Sequence, residues 1–271
     1  IGGMISTDAC GKGSRIHGRT SEHVVSLDAV LLGGETLTTR PLSETELSAA
    51  QDADTVSAGV HRICDEIATT HADLIVEQFP KLQRFMTGYN LARIRHEGRF
   101  SLSWLLAGSE GTLCFLTEAT LRLTPIPTHS QLVVVKYDSF EAALGAAEVI
   151  VESNPGAIET IDEKVLGLAR EDVIWHAVGD LLEDSPGSPR TAAINLIEYE
   201  GTDAETVQTR ANALRQSCDA GRAVFARDAQ ETAALWALRK KGVGLLGNAK
   251  GARRPVAFVE DTVVPPANLR P

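Results

Sequence analysis

Gly108-Ser109-Glu110-Gly111-Thr112-Leu113-Cys114-Phe115-Leu116-Thr117-Glu118-Ala119-Thr120-Leu121-Arg122-Leu123-Thr124-Pro125 is the stretch around which the rest of the chain is organised. Its glycines bracket a sharp turn, where glycine takes positive φ without a Cβ penalty and lets backbone N–H groups approach a ligand. The apolar and β-branched run that follows stops at Pro125, which predicts a strand. On spacing alone, Gly108 is the C-cap of a short helix over 101–107 and the turn is a plain helix-to-strand connection. The sharper reading is that the N–H groups of the turn hold a polar cofactor.

The chain has 271 residues and a formal net charge of −10. That length suits two domains or one large one. The acidic balance, with no basic patch interleaved with aromatics, argues against nucleic acid or an anionic membrane as partner. Cys10, Cys64, Cys114 and Cys218 are far apart, with no C-x-x-C pair. Such spacing suits reduced thiols in a cytoplasmic-type compartment, not a disulfide, zinc or iron–sulfur framework. No apolar run reaches membrane-spanning length, and no signal peptide is recognisable. The start at Ile1-Gly2-Gly3 and the stop at Leu269-Arg270-Pro271 are expected of an internal piece of a longer protein.

Residues 1–18, rich in glycine and small polar residues, read as a long backbone-exposing loop or a frayed terminus, and as a poor helix. No G-x-G-x-x-G or G-x-x-x-x-G-K-[ST] pattern occurs there, so neither a Rossmann nor a P-loop site is supported. Residues 24–32 and 36–39 around Gly33-Gly34-Glu35 predict a β-hairpin. Ser43 and Glu46 have capping-box spacing, and 55–71 predicts a helix with Val56, Val60, Ile63 and Ile67 as its apolar face. Its residues His61, Cys64 and His71 have no defensible metal spacing. A polar, basic connection follows with Arg93, Arg95, His96 and Arg99. Pro125-Ile126-Pro127 predicts a domain boundary, giving domains 1–125 and 126–271.

Beyond it, strands are expected at 131–137, 157–161, 191–199, 222–226 and within 253–264. Helices capped by Ser139, Asp162, Asp203 and Asp228 alternate with them. The helix after Ser139 should bury Phe140, Leu144, Ala147 and Val151, and the one after Asp228 should weaken near Gly242 and Gly244. Residues 171–190 predict an acidic, exposed loop. This alternation suits a sheet with helices packed on one face.

Four segments then carry a resemblance that covers essentially the whole chain. Ile1-Gly2-Gly3-Met4-Ile5-Ser6-Thr7-Asp8-Ala9-Cys10-Gly11 resembles the IGGxxxTxAGG-type loop of flavoproteins in the vanillyl-alcohol oxidase / PCMH superfamily, and Gly108–Thr117 resembles that superfamily's GSEGTLGIIT motif. Leu235-Trp236-Ala237-Leu238-Arg239 resembles the LWxxR helix of its D-2-hydroxyacid dehydrogenases, and Val259-Glu260-Asp261-Thr262-Val263-Val264-Pro265 the strand that follows. Among these, the chain is most similar to D-lactate and D-2-hydroxyglutarate dehydrogenases, in the large bacterial form with a C-terminal iron–sulfur region.

The resemblance implies an α+β fold: the second half of a PCMH-type FAD-binding domain, then a cap domain with an antiparallel sheet and helices on one face. It implies FAD, contacted at the pyrophosphate and isoalloxazine side by Gly2, Gly3, Thr7, Asp8, Ala9 and Gly11, with Gly18 holding a nearby turn. Glu110, Gly111 and Thr112, with the backbone of Phe115 or Leu116, would hold the ribose and adenine. Arg239 would bind the substrate carboxylate, a task suited to the guanidinium fork; taken alone, it reads as a solvated helix residue. The implied reaction is oxidation of a D-2-hydroxy acid by hydride transfer to flavin, with a separate electron acceptor. The implied protein is cytoplasmic, with a peripheral place at the inner membrane and a homodimeric state both left open.

In the resemblance, Val243 and Val259 stand where the hydroxyglutarate enzymes have a substrate-side threonine and lysine, a departure that argues against 2-hydroxyglutarate within the D-lactate or D-2-hydroxyglutarate class. No metal ligand is expected in this chain. The family's metal-binding and catalytic histidines, and any iron–sulfur cysteines, would follow Pro271, and the first FAD-binding half would precede Ile1. The rival readings are a flavin oxidase of the same superfamily acting on an alcohol or sugar, and a piece that holds no flavin and has no activity by itself.

Overall fold

The computed structural model describes residues 1–82, 85, 88–184, 186–187, 189–219, 221–247, 263–265 and 268–269. The chain divides into two compact units, Ile1–Pro125 and Ile126–Pro271.

The first unit opens with three short helices, α1 (Gly2–Ser6), α2 (Ser14–His17) and α3 (Thr20–His23), where a loop is expected from composition. Burial overrides glycine's low propensity here. Ile5 is 1% exposed and packs into the unit's core. The Ile5 N–H donates to the Ile1 carbonyl and the Thr7 N–H to the Gly3 carbonyl, closing the turn around it. Helix propensity differences of about 1 kcal/mol per glycine are small against burying an isoleucine.

β1 (Val24–Leu31) and β2 (Thr36–Thr39) form the expected hairpin. The Leu31 N–H donates to the Glu35 carbonyl and the Gly34 N–H to the Leu31 carbonyl, so the loop is residues 32–34; Gly33 and Gly34 both have positive φ there, 100° and 93°, which glycine takes without a Cβ penalty. α4 (Glu44–Gln51) carries the expected capping box: the Ser43 N–H donates to Glu46 and the Glu46 N–H to Ser43 Oγ.

α5 (Val56–Thr70) is present, but its buried face is Ala58, His61, Cys64 and Ala68, while Val56 and Ile63 are exposed. Small side chains line the inward face, and the His61 ring lies 5.9 Å from that of Phe100. α6 (Ala72–Gln78) and a 3-10 turn (Leu91–Arg93) lead to a small hairpin, β3 (Arg95–His96) and β4 (Arg99–Phe100). Arg95 is not loose in a loop there: it pairs with Glu44 and Asp65. α7 (Ser103–Leu106) ends before Gly108, whose φ of 84° fits a helix C-terminal glycine. β5 (Cys114–Leu121) pairs antiparallel with β1, giving the order β2-β1-β5.

In the second unit, β6 (His129–Tyr137) is followed by α8 (Phe140–Glu152), β7 (Ala157–Ile161), α9 (Glu163–Arg170) and α10 (Trp175–Leu182). Then come β8 (Ala193–Gly201), α11 (Ala204–Ser217), β9 (Ala223–Phe225) and α12 (Ala229–Gly247). The antiparallel sheet has the order β7-β8-β6-β9. Ser139, Asp162, Asp203 and Asp228 each accept a backbone N–H in the first turn of their helix, as the sequence predicts.

Helices cover both faces of this sheet, which corrects the one-face expectation. Leu132 and Val134 of β6 pack with residues of α9, α10 and α12, whereas Val133 and Val135 pack with Ile150 of α8 and with Val207, Ala211 and Leu214 of α11. Both parities of β6 and β8 are apolar, so neither face is left to water. α10 replaces part of the loop expected over 171–190, because Val178 and Leu182 are one helical turn apart and both buried. α8 buries Ala143, Ala147 and Ile150, while Phe140 and Val151 are exposed. α12 runs on past Gly242 and Gly244. The strand expected over 253–264 lies, apart from residues 263 and 264, outside the described residues.

Candidate cofactor site

The two glycine-bearing segments, about a hundred residues apart in sequence, are joined by backbone hydrogen bonds. The Gly108 N–H donates to the Ile5 carbonyl at 2.9 Å and the Glu110 N–H to the Ser6 carbonyl at 2.8 Å. The fit is close: a Cβ on Gly108 would stand 3.2 Å from the Asp8 Cβ. Asp8 and Glu110 both take left-handed backbone, with φ of 46° and 50°. Non-glycine residues hold that conformation only when their surroundings impose it, a condition concentrated at functional sites.

Between these segments lies a cavity of about 130 Å³ lined by Thr7, Asp8, Arg19, Phe85, Gly88, Asn90, Gly108 and Glu110. Asp8 is tied back by the Ser21 N–H, which donates to Oδ1 at 2.8 Å. Its other oxygen is 3.4 Å from Arg19, whose side chain is 6% exposed. Arg19 also donates to the Phe85 carbonyl at 2.9 Å and lies over the Phe85 ring, 4.8 Å from its centroid. Among the described residues, Arg19 Nε, Ser21 Oγ and both polar atoms of the Asn90 side chain are buried with no hydrogen-bond partner. Orphaned buried polar atoms carry a desolvation cost, and a polar ligand removes it. The wall thus combines donors and acceptors in a partly apolar cleft, and fits a polar cofactor group.

Of the residues expected at a flavin site, Thr7, Asp8 and Glu110 line this cavity together. Ala9 and Gly18 are not in its lining but adjoin Asp8 and Arg19 in the chain. The Ala9 carbonyl accepts the Thr20 N–H and hydroxyl, and Gly18, at φ 79°, turns the chain into Arg19. Gly2 and Gly3 lie on α1 and Gly11 lies exposed, each with open space where a Cβ would point. Gly111 is exposed at φ 76°. Thr112 Oγ1 donates to the Ser109 carbonyl at 2.6 Å and meets the Tyr89 hydroxyl at 2.7 Å. On β5, Phe115 is 73% exposed while Leu116 packs toward the core, so they face opposite ways. Arg19 and Asn90 escape the sequence reading. Neither stands in the motifs, and burial alone marks them.

In the second unit, Arg239 lies on α12 and its Nε donates to Glu159 Oε2 at 2.9 Å. A carboxylate therefore already sits on one of the five N–H donors of the guanidinium. Lys241 on the same helix pairs with Asp172 at 2.8 Å. Val259 and the side chain of Val243 lie outside the described residues. No group of three or more His, Cys, Asp or Glu suited to a metal occurs among the described residues.

The second unit is an antiparallel sheet covered by helices on both faces, and the first clamps two glycine segments around a polar cavity. The chain belongs to the FAD linked oxidases, C-terminal domain family, whose sequence model matches residues 126–270. It is 42% identical over 280 residues to the D-2-hydroxyglutarate dehydrogenase of Escherichia coli, an alignment covering 99% of this chain and 27% of that protein. The enzyme of the same name from Pseudomonas putida is 43% identical over 276 residues, again covering 99% of this chain and 27% of the relative. The chain thus spans about a quarter of the length of these curated relatives. A solved structure of alkyldihydroxyacetonephosphate synthase shares the fold, with a TM-score of 0.56, 16% identity, and coverage of 91% of this chain and 36% of that one. Membership in this family implies FAD as cofactor. No helix among the described residues is long and apolar enough to cross a membrane.

Proposed function

We propose that this chain carries part of the cofactor site and part of the substrate domain of an FAD-dependent dehydrogenase that oxidises a D-2-hydroxy acid of the D-lactate or D-2-hydroxyglutarate class. Residues 1–125 are the C-terminal portion of its FAD-binding domain and 126–271 belong to its cap domain. The observation that carries the reading is the polar cavity at the seam between Ile5–Asp8 and Gly108–Glu110, in a chain whose dehydrogenase relatives align over 99% of its length.

Thr7, Asp8 and Glu110 would hold polar groups of FAD at the cavity, with Ala9 and Gly18 setting the adjoining backbone. Gly2, Gly3 and Gly11 leave the main chain open for a flat ring to approach. Gly111 and Thr112, with the backbone of Phe115 or Leu116 on β5, continue the adenosine side. When bound, FAD supplies the hydride acceptor. Arg239 orients the substrate by its carboxylate, exchanging its contact with Glu159 for the ligand's or adding a second one beside it. Fixing the carboxylate restricts the α-carbon to one position, which is the protein's main contribution to such a transfer. Reoxidation falls to a separate electron acceptor.

The test is optical. FAD titrated into the protein should give a bound-flavin spectrum with shifted, resolved bands, and D-lactate or D-2-hydroxyglutarate should bleach it in the assembled enzyme. A protein that leaves the FAD spectrum unchanged refutes the cofactor role. Bleaching by simple alcohols or sugars, with the hydroxy acids inert, refutes the substrate class.

A further inference from the structure

We infer that Asn90 is the residue that reads the adenine of the bound dinucleotide, through the paired donor and acceptor of its carboxamide; this rests on the FAD reading of the cavity above. Asn90 is 4% exposed, and among the described residues neither Nδ2 nor Oδ1 has a partner. A buried carboxamide offers up to two donated and two accepted bonds, and leaving all of them unmade is costly. Its neighbours do not use them. The Asn90 carbonyl is engaged by the backbone of the following turn, receiving the Arg93 N–H, and Asn90 is one of the residues that line the cavity with Thr7, Asp8, Arg19 and Glu110.

The charges of the cavity select which part of a dinucleotide fits. The lining holds two acidic residues, Asp8 and Glu110, and one guanidinium, that of Arg19, which pairs with Asp8. That balance disfavours a pyrophosphate, which would face two like charges. It suits a neutral group that donates hydrogen bonds. The size argues the same way. A dry cavity of about 150 Å³ takes one benzene ring, so a partly open one of about 130 Å³ admits the edge of a base and not a three-ring flavin. A carboxamide is the side chain that pairs bidentately with an adenine edge, accepting from the exocyclic amine while donating to the adjacent ring nitrogen. The Phe85 ring, under the Arg19 guanidinium, adds an aromatic surface in the same wall.

Calorimetric titration of the protein and of Asn90→Leu and Asn90→Asp variants with FAD, ADP, IDP and FMN tests this. IDP replaces the adenine amine by a carbonyl, and FMN lacks the adenosine. The unsubstituted protein should prefer ADP to IDP by roughly tenfold. Asn90→Leu should lose that preference, weaken FAD about as much as ADP, and bind FMN unchanged; Asn90→Asp, which keeps the acceptor for the amine and loses the donor to the ring nitrogen, should weaken ADP and FAD while still preferring ADP to IDP. Without ligand, Asn90→Leu should unfold at a temperature no lower than the parent, because it removes orphaned polar atoms; a purely structural asparagine would lower it. An Asn90→Leu variant that keeps the preference for ADP, or either variant weakening FMN as much as ADP, overturns the assignment to adenine while the FAD reading stands. So does a parent protein that binds FAD yet treats ADP and IDP alike. A parent that binds neither FAD nor ADP removes the FAD reading itself, and Asn90's role with it.

Discussion

Alanine at Gly18 should be among the most damaging single changes in the first unit, although Gly18 looks no different in sequence from the glycines around it. Its φ of 79° and ψ of −169° fall in a region that is essentially glycine-only. Forcing an L-residue there costs roughly 1–3 kcal/mol. The added Cβ would also stand 2.1 Å from Glu22 Oε2. Glu22 can swing away, but it then releases the Arg19 N–H, which it accepts at 2.9 Å at the start of α3. That lost cap adds about 1 kcal/mol. The sum is roughly 2–4 kcal/mol, on the order of 10 °C in the unfolding temperature of a unit of this size. Gly3→Ala is the matched control: it sits in α1 with nothing within 4 Å of an added Cβ, so it should stabilise by roughly 0.5–1 kcal/mol. Differential scanning calorimetry on the three proteins reads both signs. A Gly18→Ala transition within 1–2 °C of the parent, on the order of 0.5 kcal/mol, would refute the reasoning. If FAD lies over α1 as proposed, Gly3→Ala should weaken its binding while raising the stability of the unliganded protein.

Three further expectations follow from the same geometry. The carboxyl of Glu46 is lowered to about 2 from an ordinary 4.5, first by the Ser43 N–H, then by the Ser43 hydroxyl and Arg40. Because the folded value lies below the unfolded one, this contribution is complete above about pH 4.5 and disappears as the pH falls from there through about 2. Urea midpoints of the parent and Glu46→Gln should therefore differ at pH 7 and converge toward pH 2. Asn195 is fully buried, donates to the Ala143 carbonyl at 2.9 Å and accepts from Thr160 Oγ1 at 2.7 Å; Asn195→Ala should destabilise the second unit by about 2–4 kcal/mol in denaturant titration. Arg239→Ala removes an exposed pair with Glu159 and should change stability by less than about 1 kcal/mol. It should nevertheless lower kcat/KM for the hydroxy acid by about a hundredfold, the loss of a charge-assisted carboxylate contact. Unchanged turnover would remove Arg239 from the substrate site.

Local signals read well from sequence because they act over a few residues. Ser43 with Glu46, the Asp caps of the second unit and the Gly33-Gly34 turn all form as their chemistry predicts. Apolar periodicity is less faithful. In α5 it points to Val56 and Ile63, yet the helix turns its small side chains inward and leaves those two exposed. Periodicity measures where apolar side chains recur, while packing also rewards close approach. α10 is lost in an acidic stretch because composition averages over the turn that carries Val178 and Leu182.

The glycine motifs and the Leu-Trp-x-x-Arg segment are legible in the sequence because they specify backbone freedom and side-chain types at fixed spacing. They were enough to indicate the flavoprotein superfamily, and the family match over 126–270 agrees. What the sequence does not contain is the list of residues that meet in space. Only the tertiary structure joins Gly108 and Glu110 to Ile5 and Ser6, buries Arg19 against Asp8, and leaves the carboxamide of Asn90 without a partner at the same cavity. Burial and hydrogen-bond satisfaction are properties of the whole packed unit, and no local pattern of residues encodes them.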